Sequence, residues 1–260
     1  MAGELLFYRF DNGVIATGRL SSDGIFTQLA TGRIGDRWTR IVALGRELFF
    51  YRDDSGVIAT GRLSSNGIFT QLATGRLGDR WTHIVALGRE LFFYREDSGV
   101  IATGRLSSDG IFTQLATGRL SSRWTHIVAL GRELLFYQFE TGEIATGRIS
   151  TNGIFTQLAN GRLSTRWNHI VALGRELLFY HTDTGQIATG RISTDGIFTG
   201  LADGRLNERW THIVVLGREL LFYSIATGAI ATGRLDTNGI YTNFADGRLS
   251  VGWRIITGVV

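Results

Sequence analysis

A unit of 43 residues, ELLFYRFDNGVIATGRLSSDGIFTQLATGRIGDRWTRIVALGR, begins at Glu4 and recurs at Glu47, Glu90, Glu133, Glu176 and Glu219 with no insertion or deletion. Self-similarity at a fixed period of this length is the signature of a repeat architecture and has to be read before any local motif. Six tandem units without a linker imply one continuous object, a single domain over residues 1–260. Composition supports a packed core: 43% of the residues are apolar, well above what a disordered chain carries.

Within a unit, turn signals fall about ten residues apart, the length of a short strand plus a tight turn. In the first copy they are Asp11-Asn12-Gly13, Asp23-Gly24, Thr31-Gly32 and Leu44-Gly45. The stretches between them are β-branched and aromatic, such as Leu5-Leu6-Phe7-Tyr8 and Val14-Ile15-Ala16-Thr17, and none sustains a helical period. Each Asp-Gly or Asn-Gly pair at 23–24, 66–67, 109–110, 152–153, 195–196 and 238–239 predicts a two-residue type I′ hairpin. Each unit therefore reads as four antiparallel strands, A to D. Four short strands repeated every ~40–50 residues fit a propeller blade, so the expected fold is all-β, a six-bladed β-propeller.

The phase of the repeat follows from strand A. A strand beginning at Trp is apolar and contains small residues suited to the crowded axis. Five blades then start at Trp38, Trp81, Trp124, Trp167 and Trp210. The sixth is composite, with strand A from Trp253 to Val260 and strands B to D from residues 4 to about 35. That seam clasps the ring shut and removes the open edges of the sheet stack.

The copies can be compared with one another. Ile-Ala-Thr-Gly-Arg, a second Gly-Arg and the Trp occur in all six, and His lies two residues after Trp in four (His83, His126, His169, His212). Variation is read at two places that share one face of a propeller. The B–C turn is Arg9-Phe10-Asp11-Asn12 in the first copy against Ser224-Ile225-Ala226-Thr227 in the last. The D–A turn is Gly35-Asp36 against Asn207-Glu208.

Several chemistries are poorly matched. The histidines are 43 residues apart, not a local metal motif, and read as hydrogen-bonded groups inside blade interfaces. The Glu that opens each unit usually follows an Arg, as in Arg46-Glu47, and reads as half of a local ion pair. Catalysis requires two groups with opposed environments in one asymmetric site. Near-identical copies argue against one, so the chain is read as non-enzymatic, with no catalytic residue, no metal and no cofactor. There is no Cys and hence no thiol chemistry. All 27 basic residues are Arg, spread evenly, which favours solvated and salt-bridging arginines over a nucleic-acid footprint. MAGELLFYRF lacks the basic and apolar segments of a signal peptide. No apolar run approaches the ~20 residues that span a bilayer, so a soluble chain is expected. Compartment and oligomeric state are left open, a monomeric ring being compatible with the pattern.

The Arg and Trp of the D–A turn are the most suggestive pairing, because sugar recognition uses an aromatic face beside planar polar groups. The candidate carbohydrate-binding residues are Arg33, Arg37 and Trp38; Arg76, Arg80 and Trp81; Arg119, Arg123 and Trp124; Arg162, Arg166 and Trp167; Arg205, Arg209 and Trp210; and Arg248 with Trp253. The competing reading has Trp filling the wedge between blades with Arg stacked on it.

Trp81-Thr82-His83-Ile84-Val85-Ala86-Leu87-Gly88 followed by Glu90-Leu91-Phe92-Phe93-Tyr94 resembles the tachylectin-type β-propeller lectins. That family has five blades and binds N-acetylated hexosamines in equivalent pockets between blades. The resemblance implies a multivalent lectin with up to six equivalent sites, gaining avidity from joint display, with glycans or glycoproteins as partners. The alternative is a designed or recently amplified scaffold without a ligand, or a propeller for protein partners.

Overall fold

The computed structural model describes residues 3–78, 80–120, 123–206 and 209–259. Asn207 and Glu208, one of the variable turns, lie outside the described residues, as do Met1, Ala2 and Val260. In chain order the strands are β1 (Gly3–Tyr8), β2 (Val14–Leu20) and β3 (Phe26–Arg33), then β4 (Arg40–Leu44), β5 (Glu47–Tyr51), β6 (Val57–Leu63) and β7 (Phe69–Arg76). The next blade holds β8 (His83–Leu87), β9 (Glu90–Tyr94), β10 (Val100–Leu106) and β11 (Phe112–Arg119). It is followed by β12 (His126–Leu130), β13 (Glu133–Tyr137), β14 (Glu143–Ile149) and β15 (Phe155–Arg162). Then come β16 (His169–Leu173), β17 (Glu176–Tyr180), β18 (Gln186–Ile192) and β19 (Phe198–Arg205), and β20 (His212–Leu216), β21 (Glu219–Tyr223), β22 (Ala229–Leu235) and β23 (Tyr241–Arg248). β24 (Ile255–Val259) ends the series.

These strands form six four-stranded antiparallel sheets, five of them from consecutive strands. The sixth has the order β24-β1-β2-β3, so the last strand of the chain pairs with the first, Leu6 opposite Thr257. The innermost strands β4, β8, β12, β16, β20 and β24 neighbour one another in a closed cycle. The protein is a six-bladed β-propeller closed by a composite blade, as the phase of the repeat predicts. Strand A is shorter than expected at its start: the ladder begins at Arg40 rather than Trp38. The two residues before it are engaged outside the ladder, the Trp38 amide donating to Tyr8 Oη at 3.0 Å.

Strand B is buried from its Glu to its Tyr in every blade, and side chains from both of its faces enter the cores on either side. Six apolar clusters result, each spanning two adjacent blades, as Leu6, Tyr8 and Ile15 do with Trp38, Phe50 and Leu63. Continuous apolar runs are what a sheet covered on both faces requires.

The C–D hairpins differ from expectation. Only Gly24, Gly67 and their equivalents have positive φ, not the preceding Asp or Asn. Ser21 N donates to Ile25 O, and Gly24 N to Ser21 O, each at 3.0 Å. The loop is therefore three residues long, a type I turn ending in a left-handed Gly, rather than a two-residue type I′ turn. The left-handed Gly serves packing as well as turning. A Cβ on Gly24 would lie 2.2 Å from Thr232 Oγ1, whose hydroxyl donates to Gly24 O at 3.0 Å across the seam. The same bond, strand-C Thr to hairpin Gly of the next blade, joins Thr17 to Gly67, Thr60 to Gly110, Thr103 to Gly153, Thr146 to Gly196 and Thr189 to Gly239.

A second set of ties lies near the axis. His83 Nε2 meets Thr125 O at 2.9 Å, His126 meets Asn168 O at 3.0 Å and His212 meets Arg254 O at 3.1 Å. Arg40 takes the same role, donating from Nε and Nη2 to Thr82 O. A carbonyl can only accept, so the imidazoles carry their proton on Nε2. The histidines thus tie neighbouring blades together. Burial lowers the pKa of all four from the usual 6.5, to about 4 at His83 and His169.

The Glu that opens strand B finds its partners elsewhere than predicted. Arg46 pairs not with the adjacent Glu47 but with Glu4 of the neighbouring blade, at 2.7 Å. Glu4 also receives Arg19 of its own blade at 2.9 Å. The side chain of Arg46 reaches back across the interface because strand B carries the preceding Glu inward beside it. Glu47, Glu90, Glu133 and Glu176 repeat the pattern with Arg89, Arg132, Arg175 and Arg218. At the seam the Arg position is taken by Gly3. Among the described residues Glu219 keeps only Arg234, at 3.1 Å, and its second oxygen is buried without a partner.

Candidate functional site

The candidate sugar-binding residues divide sharply. Trp38, Trp81, Trp124, Trp210 and Trp253 are buried, 5–8% exposed, and Trp167 is half-buried. Each backbone amide is held by the hydroxyl of a strand-B Tyr in the neighbouring blade, from Tyr8–Trp38 to Tyr223–Trp253. Trp38 packs its ring against Phe50 at 5.6 Å between centroids, and the Arg52 guanidinium lies 4.6 Å from the ring centre. Arg95 covers Trp81 and Arg9 covers Trp253 in the same way. The stacked cation comes from the end of strand B, not from the D–A arginine that precedes Trp. These indoles fill the wedge between blades, and the guanidinium groups of Arg9, Arg52 and Arg95 cover the faces of three of them.

The arginines of the set lie at the opposite extreme. Arg33, Arg76, Arg119, Arg162, Arg205 and Arg248 end strand D and are exposed, as are Arg37, Arg80, Arg123, Arg166 and Arg209. Arg37 N donates to Phe10 O and Arg80 N to Asp53 O, which places the D–A and B–C turns on one face as predicted. The arginines and the tryptophans therefore do not converge into six open Arg–Trp sites.

The clefts are also inequivalent. One, of about 630 Å³, involves the sheet of β20–β23. Trp210, Ala229, Ile230 and Ala231 line it, together with Arg205 and Leu206 from the end of β19 and Tyr241, Asn243, Asp246 and Gly247 from β23. Its counterpart one blade earlier is about 390 Å³ and has Phe198, Gly200 and Asp203 in place of Tyr241, Asn243 and Asp246.

That asymmetry comes from β23, which reads YTNFADGR where β3, β7 and β11 read FTQLATGR. The alternation of a strand puts Tyr241 and Asn243 on one face, and the bulge between Thr232 and Gly233 re-registers the rest. Tyr241 Oη donates to Asn243 Oδ1 at 3.1 Å, and Asn243 Nδ2 donates to Asp246 Oδ1 at 3.3 Å. Burial, with the Asp246 carboxylate adding to it, raises the pKa of Tyr241, so the phenol stays protonated and can donate. A neutral donor, a carboxamide relay and a carboxylate thus line the same cleft as Arg205. Sequence comparison of the turns alone passes over this set. The departure of β23 from FTQLATGR is its signal.

No protein-family model matches the chain, and no curated protein matches it. Solved structures do. A 6-phosphogluconolactonase-type structure from Bacteroides uniformis is similar with a TM-score of 0.70 at 12% identity, over 99% of this chain and 99% of that one. A periplasmic gluconolactonase from Pseudomonas aeruginosa has a TM-score of 0.65 at 14% identity, over 100% of this chain and 99% of that one. The propeller domain of Cps50 (Swd1) from Myceliophteria thermophila has a TM-score of 0.57 at 13% identity, over 94% of this chain and 84% of that one. At these identities the likeness establishes the propeller fold, and nothing in it points to the tachylectin-type lectins.

Two sequence expectations are therefore corrected. The six-site lectin is overturned by neighbours named as gluconolactonases, and physically by covered indoles and unequal clefts. The non-enzymatic reading is corrected too, since solved structures of the same fold are named as gluconolactonases. Its premise, that the copies offer no asymmetric site, fails at β23. Among the described residues no helix is long and apolar enough to cross a membrane.

Proposed function

We propose that the protein is a hydrolase acting on a small polyhydroxylated cyclic ester, a sugar lactone, in the β20–β23 cleft. The observation that carries this reading is the Tyr241–Asn243–Asp246 chain of hydrogen bonds in a cleft that Arg205 also lines, where β23 departs from the repeat. The names of the lactonase-type neighbours support the substrate class.

The chemistry follows from the groups present. The Asp246 carboxylate, oriented by Asn243, takes a proton from a water that adds to the lactone carbonyl. The Arg205 guanidinium is a fixed cation for the oxyanion that forms. As the carbonyl re-forms, the ring C–O bond breaks and the departing alkoxide takes up the proton, leaving the open hydroxy acid. Tyr241 and Asn243 offer polar atoms to substrate hydroxyls, and the apolar floor of Trp210 and Ile230 takes the carbon face of the ring.

The test is hydrolysis of glucono-δ-lactone, followed by acid release against the spontaneous rate. Asp246→Asn should lower kcat/KM by about 100-fold or more, the range of a lost general base. Asp203→Asn, one blade earlier, should leave it unchanged. Hydrolysis by the wild type no faster than the spontaneous rate, or an unaffected Asp246→Asn variant, refutes the assignment.

A further inference from the structure

The D–A turns carry a feature that folding does not require. Arg37, Arg80 and Arg166 have φ of 60°, 64° and 68°, the left-handed region that costs an L-residue with a Cβ roughly 1–2 kcal/mol. The sixth copy shows that Gly meets the same need: Gly252 holds the position with φ of 85°. The turn is anchored through the backbone in either case, Arg37 N to Phe10 O, Arg166 N to Phe139 O and Gly252 N to Ile225 O. The arginine side chain adds nothing to that anchor. The side chains of Arg37, Arg80 and Arg166 are exposed and make no hydrogen bond or ion pair to the described residues. Strain retained at a residue whose side chain is unused by the fold points to a use outside it.

We infer that the D–A arginines form a ring of binding sites for a tetrahedral oxyanion, the phosphoryl group, repeated around one face of the propeller. Each site pairs the D–A arginine with the strand-D arginine four residues earlier, Arg33 with Arg37, Arg76 with Arg80, Arg162 with Arg166 and Arg205 with Arg209. In the last of these, both guanidinium groups line a cleft of about 370 Å³ with the hydroxyl residues Thr182 and Thr184. Asp183 lies in the same wall and opposes the anion, so a single site is weak. The guanidinium fork suits phosphate oxygens. Several weak sites on one rigid face favour an extended anion over a free one, because the second contact is made at high effective concentration. The sites at Arg37, Arg80 and Arg166 share no residue with the Asp246 cleft and do not depend on its role in hydrolysis, whereas the Arg205–Arg209 site shares Arg205 with it.

The strain supplies an uncommon test. The triple variant Arg37→Gly, Arg80→Gly, Arg166→Gly should melt higher than the wild type in the absence of ligand, since glycine relaxes the turn. It should bind linear inorganic polyphosphate at least tenfold more weakly. The companion variant Arg37→Gln, Arg80→Gln, Arg166→Gln keeps the strain, so it should not gain in Tm, yet should lose the same binding. Binding is read by calorimetry at fixed salt, and inorganic phosphate forms the second arm. Polyphosphate bound more tightly per phosphoryl group than inorganic phosphate identifies an extended ligand. Equal affinity per group identifies a free phosphate or a single phosphoryl group on a small molecule. No binding of either probe by the wild type overturns the inference, as does unchanged polyphosphate affinity in both triple variants.

Discussion

Acidification should loosen the ring at its axis, and the size of the effect can be worked out in advance. His83 and His169 are neutral in the folded protein because burial lowers their pKa from 6.5 to about 4; at His83 the charge of Arg40 opposes protonation further. In the unfolded chain both titrate near 6.5. Between these values the unfolded state binds more protons than the folded one, so stability rises with pH across this window. It is fully present above pH 6.5 and is lost progressively as the pH falls towards 4. Each ring then withdraws about 2 kcal/mol at pH 5 and about 3 kcal/mol below pH 4. The pair removes about 4 kcal/mol at pH 5, a large share of the 5–15 kcal/mol that a domain usually has. The assay is denaturant unfolding followed by tryptophan fluorescence at pH 7.5, 6, 5 and 4.5. The control is His83→Gln with His169→Gln, since a carboxamide does not titrate and at position 83 can still donate to the Thr125 carbonyl. The wild type should lose about 4 kcal/mol more than the double variant between pH 7.5 and 5. Parallel pH profiles for the two proteins would refute the reasoning.

Two further predictions address the blade interfaces. Tyr51→Phe removes the oxygen that accepts from Trp81 N at 3.0 Å and donates to Gly78 O at 3.1 Å; leaving that buried amide unpaired should cost about 1–3 kcal/mol by denaturant unfolding. Trp124→Ala should cost about 3–5 kcal/mol as a core truncation, whereas a surface platform for a ligand would leave the unfolding midpoint nearly unchanged.

Much of the architecture is a property of short segments and is legible in the letters. Strand B reads Glu-Leu-Leu-Phe-Tyr with no polar alternation, which already implies cover on both faces. The Gly turns set the strand lengths, and an even period of 43 with a chain ending in strand A dictates the composite seam. Other features were open to inspection yet needed the structure to acquire meaning. Tyr241 and Asn243 differ from all five counterparts in plain view, and Asp246 recurs only as Asp203. Only the bulged register of β22 on β23 and the approach of Arg205 turn them into the lining of a cleft.

The sequence by itself determined the blade count, the four strands per blade and the place of closure, because these follow from periodicity and turn chemistry within about ten residues. The tertiary structure decided everything that depends on a neighbour one blade away. It gave Arg46 to Glu4 instead of Glu47, and set His83 on the carbonyl of Thr125. Those partners are 42 residues or more away, or are chosen by which face of a twisted sheet turns inward. Closing the ring brings such groups together, and a repeat read along the chain shows only that each has five counterparts.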